Sequence, residues 1–155
     1  MITKEAKKKM GKKSRADGAK FELIVRKDME SKGWFVSKYT NNVEFDYEAD
    51  KFYKVEKGTT GLLRPAKHKF NPFNKVMSMG TGFPDFICHK QIQIHPYGFV
   101  FDVIGVESKS NGILDKEEKE KCKWLLKNKV FSKILVASKI KTGRKTEITY
   151  KEFEW

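Results

Sequence analysis

Asp85, Glu107 and Lys109 are the residues of this chain whose types and placement could do chemistry together. Asp85 follows Pro84 and opens an apolar run, Phe86-Ile87-Cys88, whereas Glu107-Ser108-Lys109 closes a second, Phe99 to Val106. On an extended strand alternate side chains share a face. Tyr97, Phe99, Phe101, Val103, Gly105, Glu107 and Lys109 therefore line one side, and Val100, Ile104 and Val106 the other. A strand apolar on both faces reads as a central strand buried on both sides. An ionised carboxylate at its end is costly unless a partner or a metal compensates. An internal Glu107–Lys109 ion pair is one explanation. The sharper one adds Asp85, so that two carboxylates and an ammonium converge on one spot. His68, His89 and His95 have no Ser or Cys partner at a recognisable spacing and read as structural or surface residues.

The elements that must position this trio can be taken in order. From Ser14, a candidate N-cap, Phe21, Ile24, Val25 and Met29 form one helical face, and Gly33 stops the helix. Glu22 stands at the edge of that face, where it can reach the sheet or remain in water. Residues 33–39 read as the first strand. The segment 41–79 is too long for an ordinary connection. In it Val43–Tyr47 and Phe52–Val55 are expected to pair as a hairpin, followed by a basic, aromatic stretch holding Arg64, Lys67, Lys69, Phe70 and Phe73. Gly80 and Gly82 are expected to let the backbone approach a phosphate or to act as a hinge.

A second strand runs from Phe83 to about Ile94, and His95-Pro96-Tyr97-Gly98 turns it back into the third. Asp115 with Glu118 makes a capping-box-like start to a helix reaching about Asn128, with Cys122, Leu125 and Leu126 inside. Trp124 is expected to point outward among Lys121, Lys123 and Lys127. Residues 134–137 read as a short buried strand and 146–150 as a more exposed one, giving the order α-β-β-β-α-β plus a final strand.

A chain of 155 residues suits a single domain, 1–155. Lys and Arg number 33 against 20 Asp and Glu, a formal net charge of +13, which favours a polyanionic partner, nucleic acid first. Residues 1–14 form a basic, flexible arm in which Lys12 and Lys13, with Arg15 just beyond, are placed to meet phosphates, or else a solvated tail. Two cysteines match neither a disulfide framework nor a zinc pattern, which fits a reducing, cytoplasmic setting. No apolar stretch approaches the ~20 residues that span a membrane.

The element order, together with Glu22, Pro84-Asp85 and Glu107-Ser108-Lys109, resembles the PD-(D/E)xK nuclease superfamily over roughly residues 14–138. The archaeal Holliday-junction resolvases and virus-type replication-repair nucleases are the branches it is most similar to. The resemblance implies an α/β, restriction-endonuclease-like α-β-β-β-α-β core with a mixed central sheet flanked by helices. To that core this chain adds the 41–79 insertion between the first two strands. It implies that Glu22, Asp85 and Glu107 are acidic metal-site residues, with the Ser108 carbonyl a further donor, and that Lys109 is the catalytic lysine. Such a donor set suits Mg2+ or Mn2+.

The implied activity is metal-dependent hydrolysis of DNA, branched or structured, by a homodimer. Lys12, Lys13, Arg15, Arg64, Lys67, Lys69 and Ser110 are the expected DNA contacts. Two alternatives stay open: a sequence-specific restriction-type nuclease, and a non-catalytic nucleic-acid-binding protein on the same fold. The family's Gln near the start of the helix after the triplet has Glu118 in its place here.

Overall fold

The computed structural model describes residues 3–72, 75–78, 80–142 and 145–154. Helix α1 runs Lys4–Ser31, followed by β1 (Phe35–Lys38), β2 (Asn41–Phe45), α2 (Tyr47–Phe52), β3 (Gly61–Pro65), β4 (Lys69–Asn71) and β5 (Val76–Ser78). The chain continues through β6 (Phe86–His95), β7 (Gly98–Ser108), α3 (Lys116–Lys127), β8 (Ile134–Thr142) and β9 (Lys145–Glu152). Five strands form one mixed sheet in the order β1-β6-β7-β8-β9. Its one parallel pair, β7 with β8, is joined through α3, as a parallel crossover requires.

Period-two alternation on the strands sends successive side chains to opposite helices. Ile104 and Val106 pack with Phe86, Cys88, Val36 and Ala137 against Phe21, Val25 and Met29 of α1. On the other face Ile134, Val136, Phe83 and Tyr39 pack against Cys122 and Leu125 of α3. The result is a helix, sheet, helix sandwich, in which each fully buried aliphatic or aromatic side chain is worth about 1.5–3 kcal/mol of apolar transfer. Among the described residues no helix is long and apolar enough to cross a membrane.

Local sequence signals explain where the helices start. In α3, Asp115 accepts from the Glu118 N–H and the Glu118 side chain accepts from the Asp115 N–H, a closed capping box. Helix α1 starts well before Ser14. Thr3 caps it by accepting from the Ala6 N–H, Glu5 lies in its first turn, and the following Lys, Ala and Met residues are strong helix formers. Residues 4–14, expected as a flexible arm, are therefore helical.

Two further expectations are corrected. Val43–Tyr47 does not form a hairpin with Phe52–Val55: β2 pairs instead with β3, from Asn41↔Pro65 to Phe45↔Gly61. Asp46 ends the strand by capping α2, its side chain accepting from the Ala49 N–H. Nor is β7 buried along its length. From Ile104 to Glu107 it is covered on both faces, but Phe99, Val100 and Phe101 are exposed, because the β6–β7 hairpin extends past both helices.

Candidate active site

The strand ends bring Asp85 and Glu107 together through the backbone. Lys38↔Phe86 and Phe86↔Val106 are register partners, so β1, β6 and β7 end side by side. The Asp85 N–H donates to Glu107 Oε2 at 3.0 Å, and the Ser108 N–H donates to Asp85 Oδ2 at 2.9 Å. Both carboxylates are largely shielded, with side-chain exposures of 14% for Asp85 and 8% for Glu107. Burial, reinforced by the Asp85 charge, pushes the Glu107 carboxyl up to about 7, against the pull of Lys109.

Two lysines divide four carboxylates between them. Lys109 Nζ lies 3.4 Å from Glu107 Oε1 and also bonds Glu118 Oε1. Burial draws the Lys109 ammonium down, but the Glu118 bond and the Glu107 charge outweigh it and leave the group above its usual range. On the opposite side Lys38 Nζ sits 2.5 Å from Glu22 Oε2 and 3.3 Å from Asp85 Oδ1. Here too burial lowers and the Glu22 bond raises, with a net rise. Each lysine therefore sits between two acids, Lys38 between Glu22 and Asp85 and Lys109 between Glu107 and Glu118, and the like charges of Asp85 and Glu107 meet in the middle.

Of the residues expected at the reacting centre, Glu22, Asp85, Glu107 and Lys109 lie along this one chain of contacts, with Ser108 joining through its N–H. Lys38 and the Lys109-holding role of Glu118 were missed. Glu118 carried a local signal, its capping box, but Lys38 becomes visible only once the β1–β6 register is known. Among the described residues no three His, Cys, Asp or Glu side chains are grouped to hold a metal ion. The site offers a pair of acids, not a cage. The two thiols are buried and pushed up to about 12, which leaves no thiolate nucleophile near neutral pH.

The expected DNA contacts spread more widely. Lys12, Lys13 and Arg15 are exposed on α1, and Arg15 precedes Glu22 by two helical turns on the same face. Arg64 and Lys67 both pair with Glu44, at 3.4 and 2.8 Å. They line a cleft of about 300 Å3 with Thr81 and Lys121. The Lys69 side chain and Phe73 lie outside the described residues. Ser110 is exposed, and its carbonyl accepts from the Lys139 N–H.

Gly80 and Gly82 have a packing reason to be glycine. A Cβ at either would collide with backbone, the Lys67 carbonyl at Gly80 and the Tyr39 carbonyl at Gly82, so both glycines permit the insertion to cross closely over its neighbours. Trp124 is only half-exposed, packing on the core beneath the insertion. No protein-family model, curated protein or solved structure matches this chain.

Proposed function

We propose that this chain is a metal-dependent endonuclease that hydrolyses phosphodiester bonds of branched or structured DNA, on a restriction-endonuclease-like form of the α/β fold. The observation that carries the reading is the backbone-locked pair Asp85 and Glu107, with Lys109 3.4 Å from Glu107 at the same strand ends. Without the 41–79 insertion the element order α1, β1, β6, β7, α3, β8 is compatible with the α-β-β-β-α-β core that the resemblance implies, which supports the reading. A formal net charge of +13 supports a polyanionic substrate.

The donor set fits Mg2+ or Mn2+. Magnesium commonly takes one or two protein carboxylates and fills the remaining positions with water and substrate phosphate oxygens. Asp85 and Glu107 are such a pair, and a Glu107 carboxyl pushed up to about 7 by burial and the Asp85 charge is one that a bound cation would ionise. When bound, the metal supplies charge neutralisation at the phosphate and acidifies a water.

The chain's own groups do the positioning. Glu118 and Glu107 fix the Lys109 ammonium, which can orient the attacking water or steady charge on the phosphate. Lys38 restrains Asp85 and Glu22 and is a second cation within reach of a phosphate. The exposed lysines of α1 and the Arg64–Lys67 cleft contact the DNA backbone. A homodimer, placing one site on each of two strands, belongs to the same reading.

The test is cleavage of labelled four-way junction, flap, duplex and single strand by the purified chain with Mg2+ or with EDTA. Mg2+-dependent cuts preferring branched forms support the reading. Cleavage of duplex at one short sequence favours a restriction-type enzyme, and tight binding without cleavage a non-catalytic protein.

A further inference from the structure

Between the 56–60 loop and the outer side of α3 lies a cavity of about 450 Å3, away from the carboxylate pair and within the size range of small-ligand sites. Its floor is Trp124, and Lys57, Lys116, Lys123 and Lys127 stand around it. Two acids, Glu56 and Glu120, also line it, but Glu120 is engaged by the Tyr47 hydroxyl at 3.1 Å. Lys57 lies over the Tyr47 ring at 4.7 Å. Among the described residues Lys116, Lys123 and Lys127 are exposed and form no ion pair, whereas Lys109 and Lys121 nearby are both paired.

The cavity wall is firmly built. Asp50, 2% exposed, accepts from the Gly58 and Thr60 N–H groups at 2.6 Å each and from the Thr60 hydroxyl. A buried carboxylate with three donors ties the loop to α2. Gly61 then admits the indole: a Cβ there would stand 2.9 Å from Trp124 Nε1 and 3.2 Å from Val43. The insertion therefore holds Trp124 against a fixed wall, with three unpaired ammonium groups on the open side.

We infer that this groove binds one nucleotide unit of an unpaired nucleic-acid strand, its base against Trp124 and its phosphates between Lys116, Lys123 and Lys127. The inference rests on the nucleic-acid reading above and deepens it: the 41–79 insertion gives the chain a preference for substrates with a single-stranded segment. An aromatic floor accepts any base through its π face, and the lysines follow the backbone. A duplex cannot use the floor, because its bases are stacked on one another.

Fluorescence anisotropy of a 5′-labelled oligothymidylate, titrated with the full chain in EDTA so that nothing is cleaved, tests this. Replacing Lys116, Lys123 and Lys127 together by Ala is expected to weaken binding roughly tenfold. It should also flatten the dependence of log K on log salt by about 1.4, roughly 0.7 for each of the two phosphates that flank that nucleotide. Trp124→Leu, which keeps apolar volume, is expected to weaken single-strand binding about tenfold with the salt slope unchanged and duplex affinity intact.

The lysine variant changes only exposed side chains and keeps the test valid if Trp124→Leu melts early. Wild-type affinity and slope in the lysine variant would overturn the inference. So would equal losses on duplex and single strand, or free thymidine monophosphate competing as strongly per site as the oligonucleotide. Cleavage without groove-dependent binding defeats this inference alone, and groove-dependent binding without cleavage defeats the nuclease reading alone.

Discussion

The Asp85 N–H donates to the Glu107 carboxylate at 3.0 Å, so the two acids are joined through main chain and not through flexible side chains alone. With the return bond from the Ser108 N–H to Asp85, each strand end holds the acid of the other. Such a pair is pre-organised: on the proposed reading, little conformational entropy would remain to be lost on binding a cation or phosphate.

Glu107 sets a pH dependence of stability. Its folded pKa, about 7, lies above its ordinary value of 4.5, so the folded chain binds this proton more tightly than the unfolded one. The contribution to stability is fully present below about pH 4.5 and is lost as pH rises through about 7, by up to about 3 kcal/mol. Urea unfolding of the wild type is expected to show a lower midpoint at pH 8 than at pH 5, and Glu107→Gln to remove most of that difference. Mg2+ at pH 8 should raise the midpoint of the wild type but not of the variant.

Lys38→Met tests the residue that joins Glu22 to Asp85. The Lys38 side chain is 41% exposed, so its ion pairs contribute little to folding, and stability is expected to change by less than about 1 kcal/mol. Cleavage is expected to slow tenfold or more, because Glu22 and Asp85 lose the cation between them. Unchanged turnover would make Lys38 a surface pairing only.

Gly105→Ala probes the support under Asp85. A Cβ at 105 would lie 2.7 Å from Pro84 Cγ and 3.3 Å from Phe131 and Ile134, all in packed surroundings. Overpacking of this kind costs about 1–3 kcal/mol, and the shift falls on the residue before Asp85. A lower melting temperature together with a lower cleavage rate is expected. A lower melting temperature with full activity would separate this support from the site.

Deleting residues 1–14 should test the basic half of α1. If Lys12, Lys13 and their neighbours contact phosphates, binding to duplex weakens for every sequence alike, and the salt slope flattens by roughly 0.9 for each phosphate those side chains had neutralised. The melting temperature should hardly move, since the core face of α1 begins at Phe21. An unchanged slope would make this stretch a solvated helix.

Local signals made much of this molecule legible. The apolar runs around 86–88 and 99–106, the Asp115–Glu118 capping box and the Phe21–Val25–Met29 face each announce an element from adjacent residues, and together they bring Asp85, Glu107 and Lys109 together. What escaped depends on pairings distant in sequence. Lys38 meets Asp85 only through the β1–β6 register, and Trp124 is half-buried beside Gly61, whose missing side chain leaves room for the indole. Val43–Tyr47 misled because its alternation continues through Asp46, whose side chain caps a helix and ends the strand. The outer half of β7 misled because apolar sequence does not reveal that both helices stop short of it.

The decisive measurement compares wild type, Asp85→Asn and Glu107→Gln on a labelled branched DNA, reading cleavage with Mg2+ and binding in EDTA. These near-isosteric changes remove charge from the pair while leaving the basic surface in place. A metal-dependent nuclease built on this pair predicts Mg2+-dependent cleavage by the wild type, a rate at least ~10²-fold lower in each variant, and DNA affinity within about twofold of wild type. Full cleavage by either variant, or none by the wild type, would contradict it.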